Sequence, residues 1–231
     1  MKSLEDDYYN NYYDNVFSGG ILGFLQRRIH HRLDSLFEAD KYEKILEVGA
    51  GKLEHLAAIT SLSVKKYVAT DIRFQDKEYL ISKLPLDSMK VEEISVENID
   101  AQKLPYNNDS FDGLIATCLL IHLRDPEAAL SEWRRIIKDC GEIVIYLPCE
   151  PGFLLRIGRQ LAIIPKHRKL GHSNYKLLCA REHISSIHIL DVYIKNTFSK
   201  DKIKVSTWPI PHFKAWNFNL AYLYHIKVIK N

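Results

Sequence analysis

The chain has 231 residues, 46% apolar and 26% charged, with a net charge of +3. That balance is globular; it excludes disordered and collagen-like chains, and the length suits one α/β domain with additions. The charge is too small to point to nucleic acid, and no uncharged apolar run is long enough to span a bilayer.

Residues 1–15 are acidic and tyrosine-rich, without the basic start and apolar run of a signal peptide, so a cytoplasmic location is expected. Ile21 to Phe37 reads as a helix, with Leu22, Leu25, Ile29, Leu33 and Leu36 at helical spacing and Arg27, Arg28 and Arg32 between them. Lys44 to Val48 is a short apolar strand ending in Gly49-Ala50-Gly51, and Leu53 to Thr60 a helix. Lys66 to Thr70 is a second strand that ends at Asp71. After a charged stretch from Arg73 to Glu93, Ile94 to Ile99 reads as a third strand and Phe111 to Thr117 as a fourth, entered from the turn Asn107-Asn108-Asp109-Ser110. Asp125 caps a helix that Pro126 begins, with Ala129, Leu130, Trp133, Ile136 and Ile137 as its apolar face. Cys140-Gly141 stops it, and Glu142 to Leu147 is a fifth strand. The cysteines, Cys118, Cys140, Cys149 and Cys179, form no CxxC pair and no histidine tract has zinc-ligand spacing, so free thiols and no metal are expected.

Strands alternating with helices predict a doubly wound parallel sheet, which binds ligands at the carboxyl ends of its strands. The glycines, Asp71, Asp100 and His122 all fall beyond such ends. Gly49 permits a tight turn and Gly51 a close approach of backbone to ligand. A carboxylate ending the next strand can accept both ribose hydroxyls, so the pattern points to an adenosine-containing ligand. A nicotinamide enzyme shares this spacing. It needs a third glycine where Glu54 stands, and a Tyr-xxx-Lys pair after the fourth or fifth strand; the pair found, Tyr79 and Lys83, precedes the third.

The series 45–51, 100–106, 110–115, 121–126 and 133–141 resembles, in order, the motifs of class I S-adenosylmethionine-dependent methyltransferases of the small-molecule, UbiE-like group. The resemblance spans Tyr42 to Pro148. It implies a Rossmann-like sheet of seven strands, mostly parallel with the last antiparallel, and S-adenosylmethionine as cofactor. It implies a role for each matching residue. Glu47 would lie near the methionine amino group, Gly49 and Gly51 under the methionine and ribose, and Asp71 on the ribose hydroxyls. Ile72 would lie against the adenine face, with Asp100 and the Ala101 N–H at its edge. One departure stands out: Leu53 occupies a position where the family usually has glycine, and could crowd the cofactor or only change how the first helix starts.

Three regions then follow: an N-terminal helical cap (1–40), the cofactor-binding core (41–148), and acceptor-side helices with the final two strands (149–231). His122 is the candidate general base, the alternative being that it holds its loop. Glu150, His172, Tyr175, Glu182 and His183 are acceptor-side candidates, a polar set suited to oxygen or nitrogen of a small molecule or a glycan or lipid-linked intermediate. Tyr8, Tyr9, Tyr12 and Tyr13 are either a lid or a loose tail. Residues 153–170 mix apolar and basic residues without an acid, either as a helix on the sheet edge or as one lying on an anionic membrane surface. Trp208, Phe213, Trp216 and Phe218 read as core and pocket wall. The competing functions are a non-catalytic relative acting through a partner, motivated by Leu53, and a nicotinamide-dependent oxidoreductase.

Overall fold

In the computed structural model the described residues are 8, 9, 12, 13, 20–38, 41–58, 62–172, 174–211 and 213–230. The strands are β1 (Lys41–Val48), β2 (Ser63–Thr70), β3 (Val91–Glu97), β4 (Phe111–Thr117), β5 (Ile137–Pro148), β6 (Lys202–Trp208) and β7 (Ala221–Lys227). They form one seven-stranded sheet in the order β3-β2-β1-β4-β5-β7-β6. β7 runs antiparallel to both neighbours, and every other pairing is parallel. This is the Rossmann-like methyltransferase topology that the motif series implied.

Alternation along β1 splits the core in two. Leu46 and Val48 face one side, where α4 (Pro126–Ile136) and α8 (Ile187–Thr197) cover the sheet through Leu130, Trp133, Leu190 and Ile194. Ile45 faces the other, under Ile29 and Leu33 of α1 (Gly20–Asp34) and Leu56 of α2 (Glu54–Ala58). Such central strands are buried on both faces and read as apolar runs. The cap expected at Asp125 forms: its side chain accepts the Ala128 N–H at 2.9 Å, and Pro126 opens the helix.

Several boundaries shift: β1 starts at Lys41 rather than Lys44, β2 at Ser63 rather than Lys66, and α1 ends at Asp34 rather than Phe37. The third strand is Val91–Glu97 rather than 94–99, because β2 fixes its register from Val64 opposite Val91. The fifth begins at Ile137, which pairs with Phe111 before a register shift, so the segment read as a helix stop is strand. The helix expected from Leu53 begins at Glu54, and the end expected at Thr60 lies outside the described residues. Short α3 (Lys77–Ser82) occupies the charged stretch before β3.

Residues 153–169 make one helical run: α5 (Phe153–Gly158), a π-helical turn (Arg159–Ile163) and α6 (Ile164–Lys169). α7 (Tyr175–Glu182) follows. All four cysteines are free thiols, and burial pushes Cys118 and Cys149 up to about 12. Among the described residues no helix is long and apolar enough to cross a membrane.

Candidate active site

The carboxyl ends of β1, β2 and β3 meet at one rim. Gly49 and Gly51 both adopt left-handed backbone, φ +66° and +52°. A Cβ on Gly49 would come within 2.7 Å of Leu119, so the loop after β4 packs directly over it, whereas a Cβ on Gly51 would meet nothing within 4 Å. The rim therefore keeps a backbone surface open at Gly51. Asp71 braces it: Gly51 N–H donates to Asp71 Oδ2 at 3.1 Å and Arg73 N–H to Oδ1 at 2.8 Å. Next to it Ile72 is 64% exposed, a large apolar side chain left open to solvent at this edge. Asp100 is exposed and accepts the Gln102 N–H at 2.9 Å, and Ala101 is buried.

Leu53 does not enter this space. It takes the left-handed conformation usual for a glycine (φ +60°) and is wholly buried in the core beneath α1. Glu47 is also fully buried. Its Oε2 accepts the Tyr67 hydroxyl at 2.8 Å, while Oε1 has no partner. Burial outweighs the Tyr67 hydrogen bond and raises the Glu47 carboxyl to about 8.

The acceptor-side candidates divide. Glu150, Glu182 and His183 gather around His122. His183 Nδ1 lies 2.6 Å from Glu150 Oε2, His122 Nδ1 is 3.5 Å from Glu182 Oε2, and the two imidazoles meet edge to face at 5.1 Å. Residues missed in the sequence complete the group. Arg159 binds Glu150 through both terminal nitrogens, one contact at 2.7 Å, and Arg73 pairs with Glu182 at 3.1 Å. Burial alone would raise Glu150, but the hydrogen bonds from His183 and Arg159 prevail and hold it at about 2. Burial, and then the neighbouring His183, lower His122 to about 4 against the pull of Glu182. The signal for these arginines was indirect: two half-buried acids require compensating cations.

His172 and Tyr175 do not join this group. Tyr175 and Glu182 are the first and last residues of α7, roughly 10 Å apart along a helix of that length. His172 and Tyr175 instead pack in an aromatic cluster with His167, Tyr8 and Tyr12, where His167 stacks on Tyr175 at 4.1 Å. The tyrosines bridge the two sides. Tyr13 donates to Glu54 at 3.1 Å, Tyr9 donates to Glu182 at 2.8 Å, and the Arg73 guanidinium lies 4.8 Å from the Tyr9 ring centre. Tyr79 and Lys83, the pair weighed for nicotinamide chemistry, lie at α3 instead, with Tyr79 56% exposed.

Residues 46–145 match the family described as "Methyltransferase domain". Over those residues the chain is similar to class I, S-adenosylmethionine-dependent methyltransferases. The domain is 28% identical over 126 residues to phosphatidylethanolamine N-methyltransferase of Cereibacter sphaeroides, covering 52% of this chain and 58% of that protein. It is 26% identical over 140 residues to demethylmenaquinone methyltransferase of Staphylococcus epidermidis, covering 60% and 56%. The chain thus spans a little over half the length of these curated relatives. The N-methyltransferase NodS of Bradyrhizobium japonicum WM9, solved with S-adenosyl-L-homocysteine, shares the fold with a TM-score of 0.56, 12% identity and coverage of 89% and 88%. The rim of β1, β2 and β3 has the chemistry an adenosyl ligand needs: open backbone at Gly51, a carboxylate at Asp71, an apolar side chain at Ile72, and a buried acceptor without a partner at Glu47.

Proposed function

We propose that this chain binds S-adenosylmethionine at the rim of β1, β2 and β3 and methylates an oxygen or nitrogen acceptor at the His122–His183 cluster. The observation that carries the reading is the turn after β1: Gly51 keeps its space open while Leu53, the one departure from the family pattern, buries its side chain in the core. That placement of Leu53 speaks against the non-catalytic relative it had motivated.

When bound, the cofactor supplies an electrophilic methyl group for direct displacement. The chain's part is to align the acceptor and exclude water, and alignment alone is worth roughly 7–11 kcal/mol. Asp71 would hold the ribose hydroxyls, Ile72 and Ala101 the adenine, and Asp100 its amino edge. Glu47 would offer its unpartnered oxygen near the cofactor's amino group. On the acceptor side, Glu150 accepts from His183 Nδ1, which leaves Nε2 as the nitrogen able to take a proton. Arg159 keeps Glu150 ionised and fixed. His122 is neutral at physiological pH and is the second candidate base. Tyr9 and Tyr13 would close over the reacting groups. The relatives named for phosphatidylethanolamine and demethylmenaquinone make an amphipathic acceptor the first class to screen.

Calorimetry with S-adenosylmethionine, S-adenosylhomocysteine and NADH tests the reading. Micromolar binding of both adenosyl compounds, at least about tenfold weaker in Asp71→Ala and absent for NADH, is the expected result. Absence of binding by either adenosyl compound would sink it. With an acceptor in hand, His183→Asn should lower kcat about 10²-fold or more and leave cofactor affinity unchanged.

A further inference from the structure

Between Glu150 and Glu182 the chain has no acidic residue. The helical run that fills this stretch has two unlike faces. Arg159, Ile163, Ile164 and His167 turn inward. The π-helical turn, which fits an extra residue into its circuit, rotates Ile163 and Ile164 onto the face that carries Arg159. On the other face Phe153, Ile157 and Leu161, spaced one turn apart, are 57%, 37% and 77% exposed. Arg156, Arg168 and Lys169 are exposed beside them.

The apolar surface continues onto a second element. The Trp216–Phe218 turn abuts the start of α5, where Phe153 N–H donates to Asn217 Oδ1 at 3.2 Å. Phe213 and Phe218, read from the sequence as core and pocket wall, are half-exposed, their ring centres 6.1 Å apart. Lys214 is exposed between them. Large apolar side chains on a helix and an adjoining turn, with cations beside them, match the layered chemistry of a bilayer interface: hydrocarbon below, anionic headgroups at the rim.

We propose that residues 153–169, together with the 213–218 turn, dock on the surface of an anionic lipid bilayer. Phe153, Ile157, Leu161, Phe213 and Phe218 enter the boundary between headgroups and acyl chains, and Arg156, Arg168, Lys169 and Lys214 meet the headgroups. The helix lies in the plane of the membrane and spans nothing. Its inward face delivers Arg159 to Glu150, so the His122–His183 cluster sits one helix away from the lipid. An amphipathic acceptor drawn from the bilayer follows from this placement, and that clause rests on the methyl-transfer reading; the docking does not.

Flotation of the full chain with vesicles of phosphatidylcholine, alone or mixed with phosphatidylglycerol, tests the proposal. The chain should float with the anionic vesicles, be released by high salt, and float weakly with the zwitterionic ones. Phe153→Glu with Leu161→Glu, and separately Arg156→Glu with Arg168→Glu and Lys169→Glu, should each lower the bound fraction at least about tenfold. Thermal midpoint and S-adenosylmethionine affinity should not change. If the apolar variant fails to fold, the charge-reversed one, altered only at exposed positions, decides. No flotation with anionic vesicles, or flotation that the folded variants leave intact, overturns the proposal. A dimer in gel filtration that Phe153→Glu with Leu161→Glu converts to monomer also overturns it, because the face then belongs to a second copy.

Discussion

A left-handed backbone costs a leucine about 1–2 kcal/mol relative to glycine, yet Leu53 adopts it and buries its side chain completely. The two effects oppose each other in Leu53→Gly. Removing a buried leucine side chain costs about 2–5 kcal/mol, so the loss of packing prevails and the variant should be roughly 1–3 kcal/mol less stable in urea denaturation. Its cofactor affinity should stay within about twofold, since the side chain faces the core. Glu47 offers a second test at this scale. Its carboxyl is held at about 8 in the folded chain, chiefly by burial, against about 4.3 in an unfolded one. The folded state therefore binds the proton more tightly. The resulting stabilisation is complete below the unfolded pKa and is lost as pH rises through about 8. Thermal midpoints of Glu47→Gln should fall less than those of the parent between pH 6 and 9; parallel curves would refute this assignment.

At the scale of elements, local chemistry was legible wherever one segment decides its own structure. Gly49 and Gly51 end β1, Asp125 and Pro126 start α4, and Phe111–Thr117 is strand from end to end. What escaped depends on which segments meet. The proximity of Tyr175 to Glu182 in sequence suggested one site, but α7 holds them at opposite ends. Arg159 looked like one more cation in a basic run until the π-helical turn and α5 set it against Glu150. β5 shows the same limit from the other side: Glu142 is 4% exposed, accepting from Tyr42 on β1 at 3.0 Å and lying 2.7 Å from His225 on β7. Both partners are far away in sequence. Glu142→Ala leaves the Tyr42 hydroxyl and the His225 ring without their shared acceptor and should cost about 1–3 kcal/mol for each stranded group, read from the urea midpoint.

Over the whole molecule, buried histidines are distributed through separate packing units. Burial lowers His30 and His122 to about 4, and holds His55 well below its usual range. His167, lowered to about 4, belongs to the tyrosine cluster. Each is neutral in the fold, whereas an unfolded histidine titrates near 6.5. Between about pH 6.5 and pH 4 the unfolded chain therefore binds more protons, and stability must fall as pH falls. The carboxyls of Glu150 and Glu142, both held below their usual range mainly by their hydrogen bonds, add to that loss at still lower pH. Among the described residues the carboxyl that opposes this trend, Glu47, is outnumbered. Urea midpoints should drop markedly from pH 7 to pH 5; a flat profile would show that these rings are already hydrated.

The order of the sheet has a consequence for synthesis. β7 is the last strand in sequence yet lies between β5 and β6, hydrogen-bonded to both, with Ala221 through Ile226 buried. While a ribosome is still making residues 149–220, β5 has a bare flank, and β6 has no neighbour in the sheet. The nascent chain can assemble β1 to β5 early, but that half keeps an open, sticky margin until the final strand leaves the exit tunnel and slides into the gap. A chain halted before Ala221 would retain the rim of β1, β2 and β3 and lose the strand that covers the flank of β5, leaving β5 free to recruit a neighbouring polypeptide.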